Sequence, residues 1–383
     1  MASSMTSKER LLTAIGMGVP DRVPCMPDFS NMIPCKLTGK PFWDIYLNND
    51  PTLYYAYCKA AKHYGIDGWY QAYGAISFQR KASPVEIKTA IESQTEERIT
   101  VRTDYVLAEG TLTERTIYYR ADPPTAFEKR VKDVKRDFPL IKKLHGEIVG
   151  YDDSLIDDMR AACGDDGIFT LVVGYPGIQS FHGAFEGGAT AAIYAAYDQP
   201  DIMDEWADME HRDIVRQAEI MLDAKPDVLL VGGSGTVSLA NPELIRRYAL
   251  PTIKEVTRMA KQAGIPTMLH SCGKSMVLLE MLYNETDLNS VNPLEAPPMG
   301  DVDLAQVKRL YGDKMCLMGN LNTTDIMLLG SPADVKRAAR EAIEAAGKGG
   351  GFILSTGDQC GRDTPPANLF ALVEAAKEYG TYA

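Results

Sequence analysis

The sequence predicts an α/β fold, a (β/α)8 TIM barrel with an α+β insertion after its second strand. Three observations predict it. Short apolar runs alternate with helical stretches along most of the chain. Eight such runs occur, near residues 23, 67, 169, 228, 266, 289, 315 and 352, each followed by helix. From about 75 to 165 the apolar period switches to two, the mark of antiparallel strands with one wet face. The whole chain, 1–383, reads as one barrel domain carrying that insertion.

In chain order, residues 6–20 read as a helix through Leu11, Leu12, Ile15 and Met17, stopped by Gly18 and Pro20. Residues 22–29 read as a short buried strand, its prolines suiting a strand start. Asp50 is placed to cap a helix over 51–64, with Pro51 in its first turn. Residues 65–73 form the second strand. In the insertion, residues 85–88, 98–103 and 112–119 alternate, Gly110 marks a turn, and helices follow at 132–144 and 153–163.

The pattern then becomes regular. Strand 168–175 is followed by helix to about 224, and strand 227–233 by a helix from Pro242, capped by Asn241, to about Ala263. Strand 265–272 precedes helix 274–283. Strand 288–292 precedes helix 301–310, for which Asp301 is the expected cap. Strand 314–319 precedes helix 331–346, and strand 351–356 precedes helix 365–380.

Composition narrows the function. A formal net charge of −12 argues against nucleic-acid or anionic-membrane partners. No run of eighteen apolar residues is present and the start lacks an apolar signal core, so a cytoplasmic location is expected. Seven scattered cysteines do not form a secreted disulfide framework. In a reducing compartment each is a core residue, a metal ligand or a nucleophile.

The chemistry concentrates at the carboxyl ends of the predicted strands, where barrel active sites lie. His270 and Cys272 are two apart on one strand, so they project to the same side. Cys360 follows the last strand closely. We expect His270, Cys272 and Cys360 to hold one zinc ion, the open His/Cys/Cys form of a catalytic site, with Glu295 or Asp358 as a further ligand. Thiolates suit the ion to a substrate sulfur, whereas Lewis acidity would suit an ether oxygen. Asp28, Tyr73, Tyr175 and Asn320 also fall at strand ends and are candidate substrate contacts. Gly232, Gly233 and Ser234 resemble a phosphate-cradling loop but lack a P-loop lysine. Their expected use is close backbone approach of a substrate or cofactor tail. Cys25, Cys35, Cys58, Cys163 and Cys316 read as core or surface residues. His63, His145 and His211 lie in helical segments without a partner pattern, and His182 reads as a surface or supporting residue.

Several stretches together resemble the uroporphyrinogen decarboxylase superfamily over nearly the whole chain. They are residues 11–16 with 20–24, 241–244, 268–273, 318–322, 355–361 and 364–369. In that superfamily the true decarboxylases carry an arginine-rich segment after the first strand. Here no arginine lies between Val23 and Gln79. The pattern at His270, Cys272 and Cys360 is similar to the zinc motif of the cobalamin-dependent methyltransferase branch. The resemblance implies a zinc-dependent methyltransferase working with a cobalamin (corrinoid) cofactor carried by a small corrinoid protein. The second partner would be a small-molecule methyl donor or acceptor. The insertion looks like that of demethylase-type members, which implies a methoxylated donor. The alternatives are methyl transfer from methylcobalamin to a thiol such as coenzyme M, a decarboxylase-like lyase, and a non-catalytic binding barrel.

Overall fold

In the barrel core, inward and outward residues alternate along each strand. Met26, Trp69, Ile168, Val228, Leu230, Met268, Cys316, Met318 and Ile353 pack into one buried interior layer. Leu11, Ala14 and Ile15 of the first helix, Ser7–Ile15, close it from below. Their neighbours Cys25, Phe169, Leu229, Leu269, Leu317 and Leu354 belong to the outer layer beneath the helices. This period-two pattern places Asp28 above Met26 and His270 above Met268, on the inward side.

The computed structural model describes residues 5–81, 84–233 and 240–382. Seven parallel strands form the sheet: Gly68–Gln71, Gly167–Val172, Val228–Leu230, Thr267–His270, Ser290–Asn292, Cys316–Leu321 and Phe352–Thr356. They are hydrogen-bonded in sequence order, each to the next. Helices follow the strands, so the fold is the expected α/β barrel type.

The eighth position differs from expectation. Residues 22–29 form no strand, only two isolated bridges, an antiparallel one between Arg22 and Thr381 and a parallel one between Cys25 and Leu354. Pro24 and Pro27 have no N–H to give a ladder. The remaining groups still close the barrel. Leu354 N–H donates to Pro24 O and Met26 N–H to Leu354 O, each at 2.9 Å, while Asp67 N–H donates to Cys25 O at 2.8 Å. Buried Asp67 fastens this seam. Its carboxylate accepts Cys25 N–H at 2.8 Å, Arg10 Nη1 at 2.6 Å and Arg22 Nη1 at 3.0 Å.

The insertion is antiparallel, as expected. Ser77–Lys81 pairs with Glu147–Asp152, and Glu86–Gln94, Arg98–Leu107, Gly110–Tyr119 and Thr125–Glu128 form a second sheet. Gly110 does sit at the hairpin, opposite Leu107. The single wet face does not hold for Glu86–Gln94, where all nine residues are exposed. Helices Val134–His145 and Ile156–Cys163 complete the insertion.

Several helix ends moved. The predicted helix from Pro242 is two, Pro242–Tyr248 and Leu250–Ala263, because Pro251 reopens the helix at a new first turn. Thr52, not Asp50, occupies the cap position of Leu53–Tyr64. Asp303 rather than Asp301 caps Leu304–Tyr311 by accepting Gln306 N–H. Asp301 instead accepts Ser275 N–H at 2.7 Å and Met276 N–H at 3.2 Å, holding the helix Met276–Glu285 that follows His270 and Cys272.

Candidate metal centre

His270 is the last residue of a strand whose four residues are all buried. The chain continues along the neighbouring strand, Ser271 N–H donating to Asn292 O at 2.8 Å, so Cys272 arrives at the barrel mouth partly exposed. Gly273 turns there with φ +82°, and its N–H donates to Glu295 Oε2. Across the mouth, the strand Phe352–Thr356 leads into Asp358, a non-glycine residue at φ +148°. Backbone held in such a region is a known feature of functional sites.

These elements bring His270, Cys272 and Asp358 together, with one ligand atom of each within 4.8 Å of the others. Two carboxylates bracket the imidazole. Asp28 Oδ2 is 4.0 Å from His270 Nδ1, and Asp358 Oδ1 is 3.7 Å from Nε2. One hydroxyl ties the two acidic segments: Thr356 Oγ1 accepts Asp28 N–H at 3.0 Å and donates to Asp358 O at 2.7 Å. Ser30 Oγ donates to Asp28 Oδ1. Burial pushes the Asp28 carboxyl up, His270 and Ser30 pulling the other way. Burial also pushes Glu295 up, and the charge of Asp358 adds to it. Three carboxylates thus crowd one histidine and one thiol, an arrangement that suits a bound cation.

Cys360 lies beside this group but not within that three-residue set. It is fully buried, its N–H donates to Asp28 O at 2.9 Å, and its thiol faces the Thr356 hydroxyl. Burial, with the Asp28 charge behind it, pushes that thiol up to about 12. Glu295 is buried and committed to Gly273.

The tyrosines meet: the hydroxyls of Tyr73 and Tyr175 are 2.5 Å apart. Asn320 Nδ2 donates to Leu294 O at 3.1 Å, which braces the loop that carries Glu295. Gly232 adopts φ +83°, and Gly233 N–H donates to Gln179 Oε1 at 2.9 Å. A Cβ on Gly233 would stand 2.6 Å from Gln179 Nε2 and 2.8 Å from the Tyr175 ring, so these side chains would have to shift to admit one. Ser234 lies outside the described residues.

The supporting roles of Thr356 and Ser30 were not anticipated. A hydroxyl residue ending a strand is too common to single out. Only the closed barrel shows that Thr356 reaches Asp28.

The uroporphyrinogen decarboxylase (URO-D) family profile matches residues 181–379, just over half the chain. The chain belongs to the uroporphyrinogen decarboxylase family. Within the family it is similar to proteins of two kinds. It is 27% identical over 181 residues to the methylcobamide:CoM methyltransferase MtbA of Methanosarcina mazei, covering 47% of this chain and 49% of that one. It is 29% identical over 151 residues to a methylated-thiol–coenzyme M methyltransferase of the same organism, covering 39% and 37%. It is 28% identical over 163 residues to a uroporphyrinogen decarboxylase of Chlorobium phaeovibrioides, covering 41% and 43%. The matched region spans about half the length of these curated relatives or less. Over 98% of its length the fold superposes on a solved methyltransferase from Methanosarcina mazei, covering 99% of that chain, with a TM-score of 0.66 at 18% identity. No helix among the described residues is long and apolar enough to cross a membrane.

Proposed function

We propose that this chain transfers a methyl group between a small substrate and the cobalt of a corrinoid carried by a small partner protein. Zinc would be held by His270, Cys272 and one or both of Cys360 and Asp358. The observation that carries this reading is the convergence of His270, Cys272 and Asp358 at the barrel mouth. Similarity to methylcobamide-using relatives supports the corrinoid. When bound, zinc would supply Lewis acidity, improving an ether leaving group or lowering the pKa of a thiol.

The protein's own groups position that chemistry. Asp28 faces Nδ1 of His270 and orients the ring, as carboxylates behind metal-binding histidines do. Its partners Thr356 and Ser30 hold it in place. Glu295 fixes the turn at Gly273 and therefore the direction of Cys272. Substrate positioning is the main remaining task, since in-line methyl transfer depends on alignment more than on proton transfer.

A methoxylated donor is the preferred substrate. An aspartate oxygen in the cluster makes the donor set harder than His/Cys/Cys, which favours an ether oxygen over a thiol. The second reading, methyl transfer to a thiol, is supported by the coenzyme M relatives. A decarboxylase reading draws on the decarboxylase relatives, but the arginine-free stretch from Val23 to Gln79 opposes it.

Zinc-loaded protein should methylate free cob(I)alamin from 2-methoxyphenol, followed by the visible spectrum of methylcobalamin. Transfer only in the reverse sense, from methylcobalamin to a thiol, would select the second reading. Turnover of a porphyrinogen with neither methyl reaction would overturn both, and zinc binding without any turnover would leave a binding barrel.

A further inference from the structure

We propose that the pocket beside the metal centre, walled by the helix Leu53–Tyr64, binds a small uncharged aromatic molecule through its ring, with Gln71 holding a hydroxyl or ether oxygen. Under the methyl-transfer reading above, on which this further step rests, that molecule is the methoxylated donor. The pocket encloses about 760 Å3. That lies within the roughly 300–1,000 Å3 range of small-molecule sites.

Two lining residues tie the pocket to the metal centre. Ser30 Oγ donates to Asp28 Oδ1, and Asp28 faces His270. Asn31 Oδ1 accepts Gln359 Nε2 at 2.5 Å, and Gln359 stands between Asp358 and Cys360 in the chain. A ligand seated here therefore adjoins the segments that carry the candidate metal ligands.

The walls offer ring surface. Six of the lining side chains are aromatic: Tyr46, Tyr54, Tyr55, Tyr57, Trp69 and Tyr73. Tyr54, Tyr57 and Trp69 are buried, whereas Tyr55 and Tyr73 are 38% and 53% exposed and reach solvent. Three of the phenol hydroxyls are already used within the protein. Tyr54 donates to Met159 O at 2.5 Å, Tyr57 accepts Trp69 N–H at 2.8 Å, and Tyr73 bonds Tyr175. What these side chains still offer is the ring itself. Tyr54 and Tyr55 already meet edge to face, centroids 5.6 Å apart, an arrangement that a further ring extends.

Charge decides the class of ligand. Among the described residues, no Asp, Glu, Lys, Arg or His lines the pocket. An ionised group placed inside would give up hydration without gaining a counter-charge. That argues against a carboxylate. It argues also against a quaternary ammonium, which aromatic faces alone attract modestly. The polar group aimed inward is Gln71. It ends the strand Gly68–Gln71 on the same side as Trp69 and is partly exposed. Its side-chain amide pairs with no other described residue. An amide both donates and accepts, which suits a neutral phenol or ether oxygen.

The test uses the full chain stripped of metal with a chelator, so that ring binding is read apart from catalysis. 2-Methoxyphenol is titrated by calorimetry and by quenching of tryptophan fluorescence. The anionic, cationic and non-aromatic controls are 2-methoxybenzoate, tetramethylammonium and methoxycyclohexane. Saturable binding of 2-methoxyphenol is expected, about tenfold or more tighter than each control. Tyr55→Ala and Gln71→Leu, both at partly exposed positions, should each weaken it about 2–10-fold, the worth of one ring contact and of one neutral hydrogen bond. Two variants from different elements cover the case in which one does not fold. Cys272→Ser should leave binding unchanged. The proposal is overturned if 2-methoxyphenol shows no saturable binding, if a control binds as tightly, or if binding ignores both pocket variants and is lost in Cys272→Ser. Methyl transfer to cob(I)alamin by the zinc-loaded chain is scored separately. Ring binding without transfer sinks the methyl-transfer reading and leaves the pocket assigned. Transfer from 2-methoxyphenol with the same KM in Tyr55→Ala and Gln71→Leu sinks the pocket and leaves that reading.

Discussion

Asp28 and His270 lie far apart in the sequence, yet their side chains face each other at 4.0 Å inside the barrel mouth. Each lies two residues beyond a methionine of the interior layer. The carboxylate thus stands behind the imidazole, and Asp358 stands 3.7 Å away on its other side.

If Asp28 orients a metal-binding ring, Asp28→Asn should weaken zinc about 10–100-fold while leaving the ligands in place. Competition against a zinc chelator measures this. An unchanged affinity would assign Asp28 to substrate contact instead.

The identity of the further ligand separates by substitution. His270→Ala and Cys272→Ser should each lose most bound zinc by elemental analysis. Between Asp358→Asn and Cys360→Ser, the one that loses zinc identifies the third ligand. Loss in both would mean that Cys360 turns from the Thr356 side into the site on loading.

Asp67 should matter to folding rather than to chemistry. It is 1% exposed and bonds Arg10, Arg22 and Cys25 N–H across the seam. Asp67→Ala leaves buried Arg10 without this partner, and urea denaturation should show a loss of about 3–5 kcal/mol.

Glu210 sets a pH dependence of stability. Its pKa rises from 4.5 in the unfolded chain to about 8 on folding. Between those values the native state holds a proton that the unfolded state has lost. Its contribution is therefore fully present below about 4.5 and declines as pH rises through about 8. Glu210→Gln should flatten that part of the stability-against-pH curve, measured by urea denaturation at stepped pH. A slope identical to the parent would refute the assignment.

Much of this was legible in sequence. The seven sheet strands all lie at predicted runs because apolar runs and helix punctuation are local signals. His270 and Cys272 were recognisable as a pair because strand geometry sets the direction of residues i and i+2. Caps were less legible. Asp301 and Asp303 have the same local chemistry, and only packing sends one to its own helix and the other to Ser275.

The sequence by itself determined the alternation of strand and helix, the antiparallel insertion and the residues that could bind a metal, because these follow from local period and residue chemistry. Only the tertiary structure decided that a proline-rich segment closes the barrel, held by Asp67. It also decided that Asp28 and Asp358 meet His270, while Cys360 turns into the core. Those outcomes depend on through-space distances between distant segments, and no local period encodes them.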